Sequence, residues 1–124
     1  MSEWVARVED LDVFRRAYGL SLEVHRTSRE FPRIEQFALA DQVRRASKSI
    51  CANLAEGFGR QRLSRPEFGR FLMMAIGSAD AMRVWTMYCR DLGYIGSDVA
   101  ERWQGEFREI ARMLWGLRRG SCDI

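Results

Sequence analysis

Four segments with helical spacing of apolar residues, separated by proline or glycine, constrain the fold of this chain most strongly. Within each segment, apolar side chains recur every three or four residues, as on the buried face of an amphipathic helix. The predicted helices span residues 11–30, 35–56, 65–92 and 98–119, and nothing in the sequence reads as a strand. Short connections favour antiparallel neighbours. The sequence therefore predicts one all-α domain over residues 1–124, folded as an antiparallel up-down-up-down four-helix bundle.

Local signals mark the ends of these helices. Ser64–Glu67 match a capping box with a proline in the first turn, which places the start of the third helix at Arg65. Pro32 is expected to end the first helix, because the residue before a proline is pushed out of the helical region. Gly57 and Gly59 are expected to end the second helix.

The third predicted helix is apolar on nearly all its faces. Between residues 71 and 89 its only charged side chains are Asp80 and Arg83. A helix of this kind is usually buried on most sides, which one face of a monomeric bundle cannot provide. We therefore predict a closed homo-oligomer. Its predicted interface residues are Met73, Val84 and Met87, on the far side of the helix from the core stripe, and Trp85, which flanks that stripe.

The positive charge of the chain is concentrated in its second quarter. The formal net charge is +3, and residues 33–70 hold 8 basic side chains against 4 acidic ones. Such a cluster could neutralise several phosphates of a nucleic acid. The alternative is a solvated helix face whose arginines pair with acids of a neighbouring helix or subunit. The predicted nucleic-acid-binding residues are Arg44, Lys48, Arg60, Arg62 and Arg65.

Helical spacing suggests different roles for the two adjacent arginines of the second helix. Arg45 lies only about 20° from Glu56 on the helical wheel, whereas Arg44 points further outward and shares a face with Lys48. We therefore expect Arg44 and Lys48 to face solvent and Arg45 to be structural. The predicted structural polar residues are Arg45, Asn53, Glu56 and Asp80.

The sequence offers little for catalysis, metal binding or a cofactor. His25 is the only imidazole, and it falls on the apolar stripe of the first helix. The three cysteines are isolated and suit small apolar core positions. We therefore expect a protein that is not an enzyme and has no cofactor. With no run of 18 apolar residues and no signal-peptide pattern, a cytoplasmic location is expected, away from membranes.

The second predicted helix carries the residues of a family resemblance. Gln42–Ala46, followed by Ser49-Ile50 and Asn53–Gly57, resembles the most distinctive block of the 23S rRNA-intervening-sequence proteins, a bacterial family. Ala75–Ser78 and Leu92–Tyr94 extend the resemblance over nearly the whole chain.

This resemblance implies a left-handed four-helix bundle that commonly assembles as a ring-like homopentamer, with no enzymatic activity attributed to the family. A distant relative is the accessory protein of diversity-generating retroelements, which binds a reverse transcriptase and nucleic acid. The chain departs from the family at Ala81 and Arg83, where acidic residues are usual, and at His25, where tyrosine is frequent. Detailed contacts are not transferred to these positions.

Together these features predict a self-associating, non-enzymatic bundle that offers a basic surface to RNA or DNA backbone, or to a nucleic-acid-bound protein such as a reverse transcriptase. The alternative is a purely structural protein–protein adaptor whose arginines serve assembly of the oligomer.

Overall fold

The computed structural model of the protein describes residues 7–61 and 64–120, and these residues form helices without strands. The four long helices are α1 (Asp12–Ser28), α2 (Leu39–Arg60), α3 (Arg65–Asp91) and α4 (Ser97–Arg118). Short 3-10 turns over Val8–Asp10 and Arg33–Glu35 precede α1 and α2. The predicted all-α class is therefore confirmed.

Contacts between side chains show that neighbouring helices run antiparallel. His25 on α1 contacts Lys48 on α2, while Ser28, further along α1, contacts Arg44, one turn earlier on α2. In the other neighbouring pairs, too, residue numbers rise along one helix as they fall along its neighbour. The contacts are Ser49–Ser78 and Gly57–Phe71 between α2 and α3, Arg83–Gln104 and Gly69–Arg118 between α3 and α4, and Glu23–Arg102 and Arg16–Glu109 between α1 and α4. Helix α1 packs against α2 and α4 but not against α3, so α1 and α3 occupy diagonal corners of the predicted four-helix bundle.

A single core runs through the centre of the bundle. Its largest fully buried side chains include Trp103, Phe107 and Phe68. The Trp103 indole Nε1 donates a 2.8 Å hydrogen bond to Glu23 Oε2, which satisfies the one polar atom of that ring. Arg102 also donates to the Glu23 carboxylate, and this hydrogen bond holds the pKa of Glu23 below its ordinary value.

Helix α2 continues beyond the point at which its glycines were expected to end it. Gly57 and Gly59 both lie inside the helix, which ends at Arg60. Gly57 is buried against α3, and a Cβ atom there would lie 2.8 Å from the Cβ of Phe71. The expected stop at residue 56 is wrong, because Gly57 permits a close approach of two helices rather than a turn.

The start of α3 follows the predicted capping signal. The Ser64 side chain accepts a 3.2 Å hydrogen bond from the backbone N–H of Glu67, and Pro66 occupies the first turn. A proline fits this turn because the first N–H groups of a helix have no partner within it. The predicted start at Arg65 is confirmed.

The cysteines in the described part of the chain are protonated side chains rather than reactive thiolates. Cys89 is fully buried, and burial raises the pKa of its thiol to about 12. Cys51 is partly buried, and burial raises its pKa to about 11. Cys122 lies outside the described residues.

Candidate nucleic-acid interface

The basic residues that cluster in the sequence are divided between two separate parts of the structure. Lys48 contacts α1, whereas the guanidinium of Arg60 lies over the ring of Phe71 on α3. Arg44 and Arg60 are also about 24 Å apart along the helix axis, at 1.5 Å per residue. The cluster is thus not one continuous surface.

Arg44 joins α1, the turn after it and the start of α2. Its guanidinium donates hydrogen bonds of 3.0 Å to Ser28 Oγ, to the backbone oxygen of Gln36 and to Gln36 Oε1. Gln36 in turn donates from its side-chain amide to the backbone oxygens of Ser28 and Phe31, at 3.0 and 2.9 Å. Arg44 is partly buried, and its planar fork holds this connection in place.

Arg45 projects into solvent instead. Its side chain is 77% exposed and, among the described residues, forms an ion pair with Asp41 alone, one turn earlier, at 3.7 Å. The expected orientation of the pair is therefore wrong: Arg44 is the structural arginine and Arg45 the exposed one. The wheel of α2 could not show this, because the acceptors for Arg44 are neutral oxygens of residues 28–36 rather than a carboxylate.

Positive charge gathers instead around His25, at the end of α1. Lys48 Nζ lies 3.0 Å from His25 Nδ1, and the pKa of His25 is lowered, first by desolvation and then by nearby cations. Those cations are Lys48, Arg44, Arg29 and Arg26. We call these five residues, His25 with its four cations, the His25 patch.

No described acidic side chain forms an ion pair with a cation of the His25 patch. Sequence reasoning missed Arg26 and Arg29 because the first 32 residues are balanced in charge overall. These two arginines follow His25 by one and four residues, and the imidazole of His25 contacts Lys48 of α2. Their spacing with His25 on one helix was the signal that could have found them.

The other predicted cations are more closely tied to the protein itself. Arg60 forms an ion pair with Glu56 on the surface of α2. Arg65 lies 6.0 Å from the ring centre of Phe68. Arg62 lies outside the described residues.

The predicted structural polar residues differ in their surroundings. Asn53 donates a 2.9 Å hydrogen bond to the backbone oxygen of Ser49, and Ser49 Oγ contacts Ser78 Oγ of α3 at 2.5 Å. Glu56 is exposed and, among the described residues, pairs with Arg60 alone. Asp80 is exposed too, so the predicted structural role is not supported for either acid.

The predicted interface residues lie on the outward side of α3. Met73, Val84 and Met87 are 39%, 49% and 46% exposed, and Trp85 is partly buried toward α2. These three predicted interface residues thus remain in solvent in the single chain, together with Met74 and Tyr88 of the same helix. Whether they meet another copy stays a prediction.

A comparison with protein families matches the model of the 23S rRNA-intervening sequence protein to residues 9–116. The chain belongs to this family. No curated protein matches the chain. In this family member, the matched region includes the His25 patch, the Arg44 connection and the outward face of α3.

The described part of this intervening-sequence protein contains neither a grouped set of metal ligands nor a membrane-spanning helix. Within residues 7–61 and 64–120, no three histidine, cysteine or acidic side chains are grouped so that they could hold a metal ion. None of the described helices combines the length and the apolar character needed to span a membrane.

Proposed function

We propose that this protein is a non-enzymatic, self-associating bundle that binds the backbone of a nucleic acid through the His25 patch. The observation that carries the proposal is the grouping of Arg26, Arg29, Arg44 and Lys48 around one imidazole without an acidic ion-pair partner among the described residues. Cations in such a group repel one another in the free protein. Phosphates relieve this repulsion and release counterions on binding.

The cations of the patch differ in their contacts, and we therefore propose different roles for them. Arg44 is engaged with Ser28 and Gln36, so it positions the patch and adds charge without leaving the protein. Arg26, Arg29 and Lys48 are exposed and can reach phosphate oxygens. No phenylalanine, tyrosine or tryptophan belongs to the patch, so we expect it to recognise phosphate rather than base sequence.

The test compares binding of a short RNA duplex, and of DNA with the same sequence, at several salt concentrations. Replacing Arg29 and Lys48 by glutamine is expected to weaken binding and to flatten the plot of log affinity against log salt by about two units, since each phosphate contact contributes about 0.9. Arg108→Gln together with Arg119→Gln is the matched control, because it also removes two positive charges from exposed side chains, one on α4 and one directly after it. Equal effects of the control and the patch variant would refute the assignment, as would binding that salt does not weaken.

Self-association is proposed through the outward face of α3. Met73, Val84 and Met87 expose apolar surface that a second copy would bury. Light scattering at micromolar concentration is expected to give several times the 14.4 kDa mass of one chain. Val84→Glu together with Met87→Glu should then lower the measured mass, while a wild-type monomer would refute this part of the proposal.

The second candidate is a protein–protein adaptor in the cytoplasm, whose arginines serve structure and assembly. The internal hydrogen bonds of Arg44 favour this reading for one member of the basic cluster. It predicts an intact oligomer that binds neither duplex at low salt. The duplex-binding experiment therefore separates the two candidates.

A further inference from the structure

A cleft opens between the first turns of α3 and the last turn of α4, at the end of the bundle far from the His25 patch. Its volume is about 580 Å³, within the range of about 300–1,000 Å³ usual for small-molecule sites. The apolar part of its lining, which we call the apolar floor, includes the side chains of Phe68, Leu72 and Met73. Arg65 and Arg118 supply positive charge at its sides.

Each of these arginines lies against a glycine of the opposite segment. A Cβ on Gly69 of α3 would lie 3.3 Å from Nε of Arg118, and a Cβ on Gly120, just after α4, would lie 2.9 Å from a terminal nitrogen of Arg65. Gly120 also has a φ of 75°, which favours glycine. The two glycines thus leave room for two guanidinium groups at one cleft.

Neither arginine has an ion-pair partner in the described part of the chain. The nearby acid Glu67 is occupied by Arg70, with both hydrogen bonds at 3.1 Å. Within residues 7–61 and 64–120, the fold therefore places two cations together over apolar surface without an acidic side chain that pairs with either one.

We infer that this cleft binds a phosphate monoester, with its phosphate between Arg65 and Arg118 and its organic part over the apolar floor. A phosphate monoester carries close to two negative charges at neutral pH, which matches two guanidinium groups. The planar forks of arginine suit phosphate oxygens. The volume of the cleft exceeds that of the phosphate alone, which leaves space for the group attached to it.

This site is separate from the His25 patch, although Met73 belongs both to its lining and to the proposed self-association face. The antiparallel register puts the start of α3 and the end of α4 beside the end of α2, whereas the His25 patch lies at the end of α1 and the start of α2. A protein without duplex binding could still bind a phosphate monoester, and the reverse also holds.

The experiment follows amide resonances of the full chain by NMR during titration with inorganic phosphate and with a nucleoside 5′-monophosphate, at constant ionic strength. Saturable shifts are expected for the Gly69 and Gly120 amides, with the nucleotide binding more tightly. Arg118→Gln is expected to weaken binding at least about tenfold, since a charge-assisted hydrogen bond is lost. Gly69→Leu should weaken it similarly by filling the cleft while every charge is kept, whereas Arg108→Gln should change it less than twofold.

Short oligonucleotides with and without a 5′-phosphate then separate a free nucleotide from the end of a strand as the source of the monoester. Tighter binding of the 5′-phosphorylated strand than of the mononucleotide would assign the site to strand ends, and the opposite order to free nucleotides. The inference is overturned if the glycine amides do not shift up to millimolar phosphate and nucleotide. It is also overturned if Arg108→Gln weakens binding as much as Arg118→Gln.

Discussion

Replacing Arg44 by alanine should destabilise the bundle far more than the same change at Arg45. Arg44 makes three 3.0 Å hydrogen bonds that join the end of α1 to the segment before α2. Loss of Arg44 also leaves Gln36 without this donor. The side-chain amide of Gln36 in turn holds the backbone oxygen of Ser28, so the connection between the two helices is weakened. Arg45 has one exposed contact with Asp41, at 3.7 Å.

The magnitudes follow from these contacts. Hydrogen bonds to a charged group contribute about 1.5–3 kcal/mol each, but the three share one partly exposed side chain and do not add, so the expected loss is about 2–4 kcal/mol. For a chain of this length the entropy of unfolding is about 0.26 kcal/mol/K, which converts the loss to about 8–15 °C in Tm. An exposed ion pair one helical turn apart contributes at most about 0.5 kcal/mol, so Arg45→Ala should lower Tm by about 2 °C or less.

Thermal unfolding followed by circular dichroism, at one fixed protein concentration, measures both changes. Arg44→Lys is an informative third variant, because it keeps the charge and loses the planar fork, and it should recover less than half of the lost stability. The reasoning fails if Arg45→Ala lowers Tm as much as Arg44→Ala. Full stability of Arg44→Lys would show that charge rather than the fork matters.

Two further substitution experiments test the packing and the patch. Gly57→Ala should destabilise by about 1–2 kcal/mol, because overpacking against Phe71 outweighs the better helix propensity of alanine, whereas Gly59→Ala, with open space around it, should stabilise by about 0.5–1 kcal/mol in denaturant unfolding. The pKa of His25 is lowered in the fold. As the pH falls below the ordinary value of 6.5, the unfolded chain therefore binds more protons than the folded chain, and the free energy of unfolding decreases. Stability measured between pH 7.5 and about pH 5.5 should therefore fall more steeply for the wild type than for His25→Gln, and parallel curves would contradict the lowered pKa of His25.

The sequence predicted the helices well because their spacing and end signals are local. The capping box at Ser64 fixes the start of α3 without help from any other helix. Gly57 was misread because a glycine that ends a helix and one that admits a neighbouring helix look alike in sequence. Only the position of Phe71 across the interface distinguishes them.

The candidate site was harder to predict because charge was counted along the chain rather than across the bundle. Arg26 and Arg29 belong to a segment with balanced charge, yet they act on the same imidazole as Lys48 once α1 and α2 pair in antiparallel order. Arg60 belongs to the dense basic segment, yet its own acid one turn earlier, Glu56, pairs with it. Proximity in space, set by register, decides which charges add.

The diagonal arrangement of α1 and α3 allows self-association and nucleic-acid binding, the two parts of the proposed function, to occur at the same time. The apolar face proposed for self-association, with Met73, Val84 and Met87, lies on the outward side of α3, and α1 does not pack against α3. An oligomer joined through that face would leave the His25 patch of every copy open to solvent. Several patches on one particle would bind a long nucleic acid more tightly than a single patch, because each later contact becomes intramolecular. A variant that cannot assemble should therefore lose affinity for a long duplex while keeping its affinity for one short enough to reach a single patch.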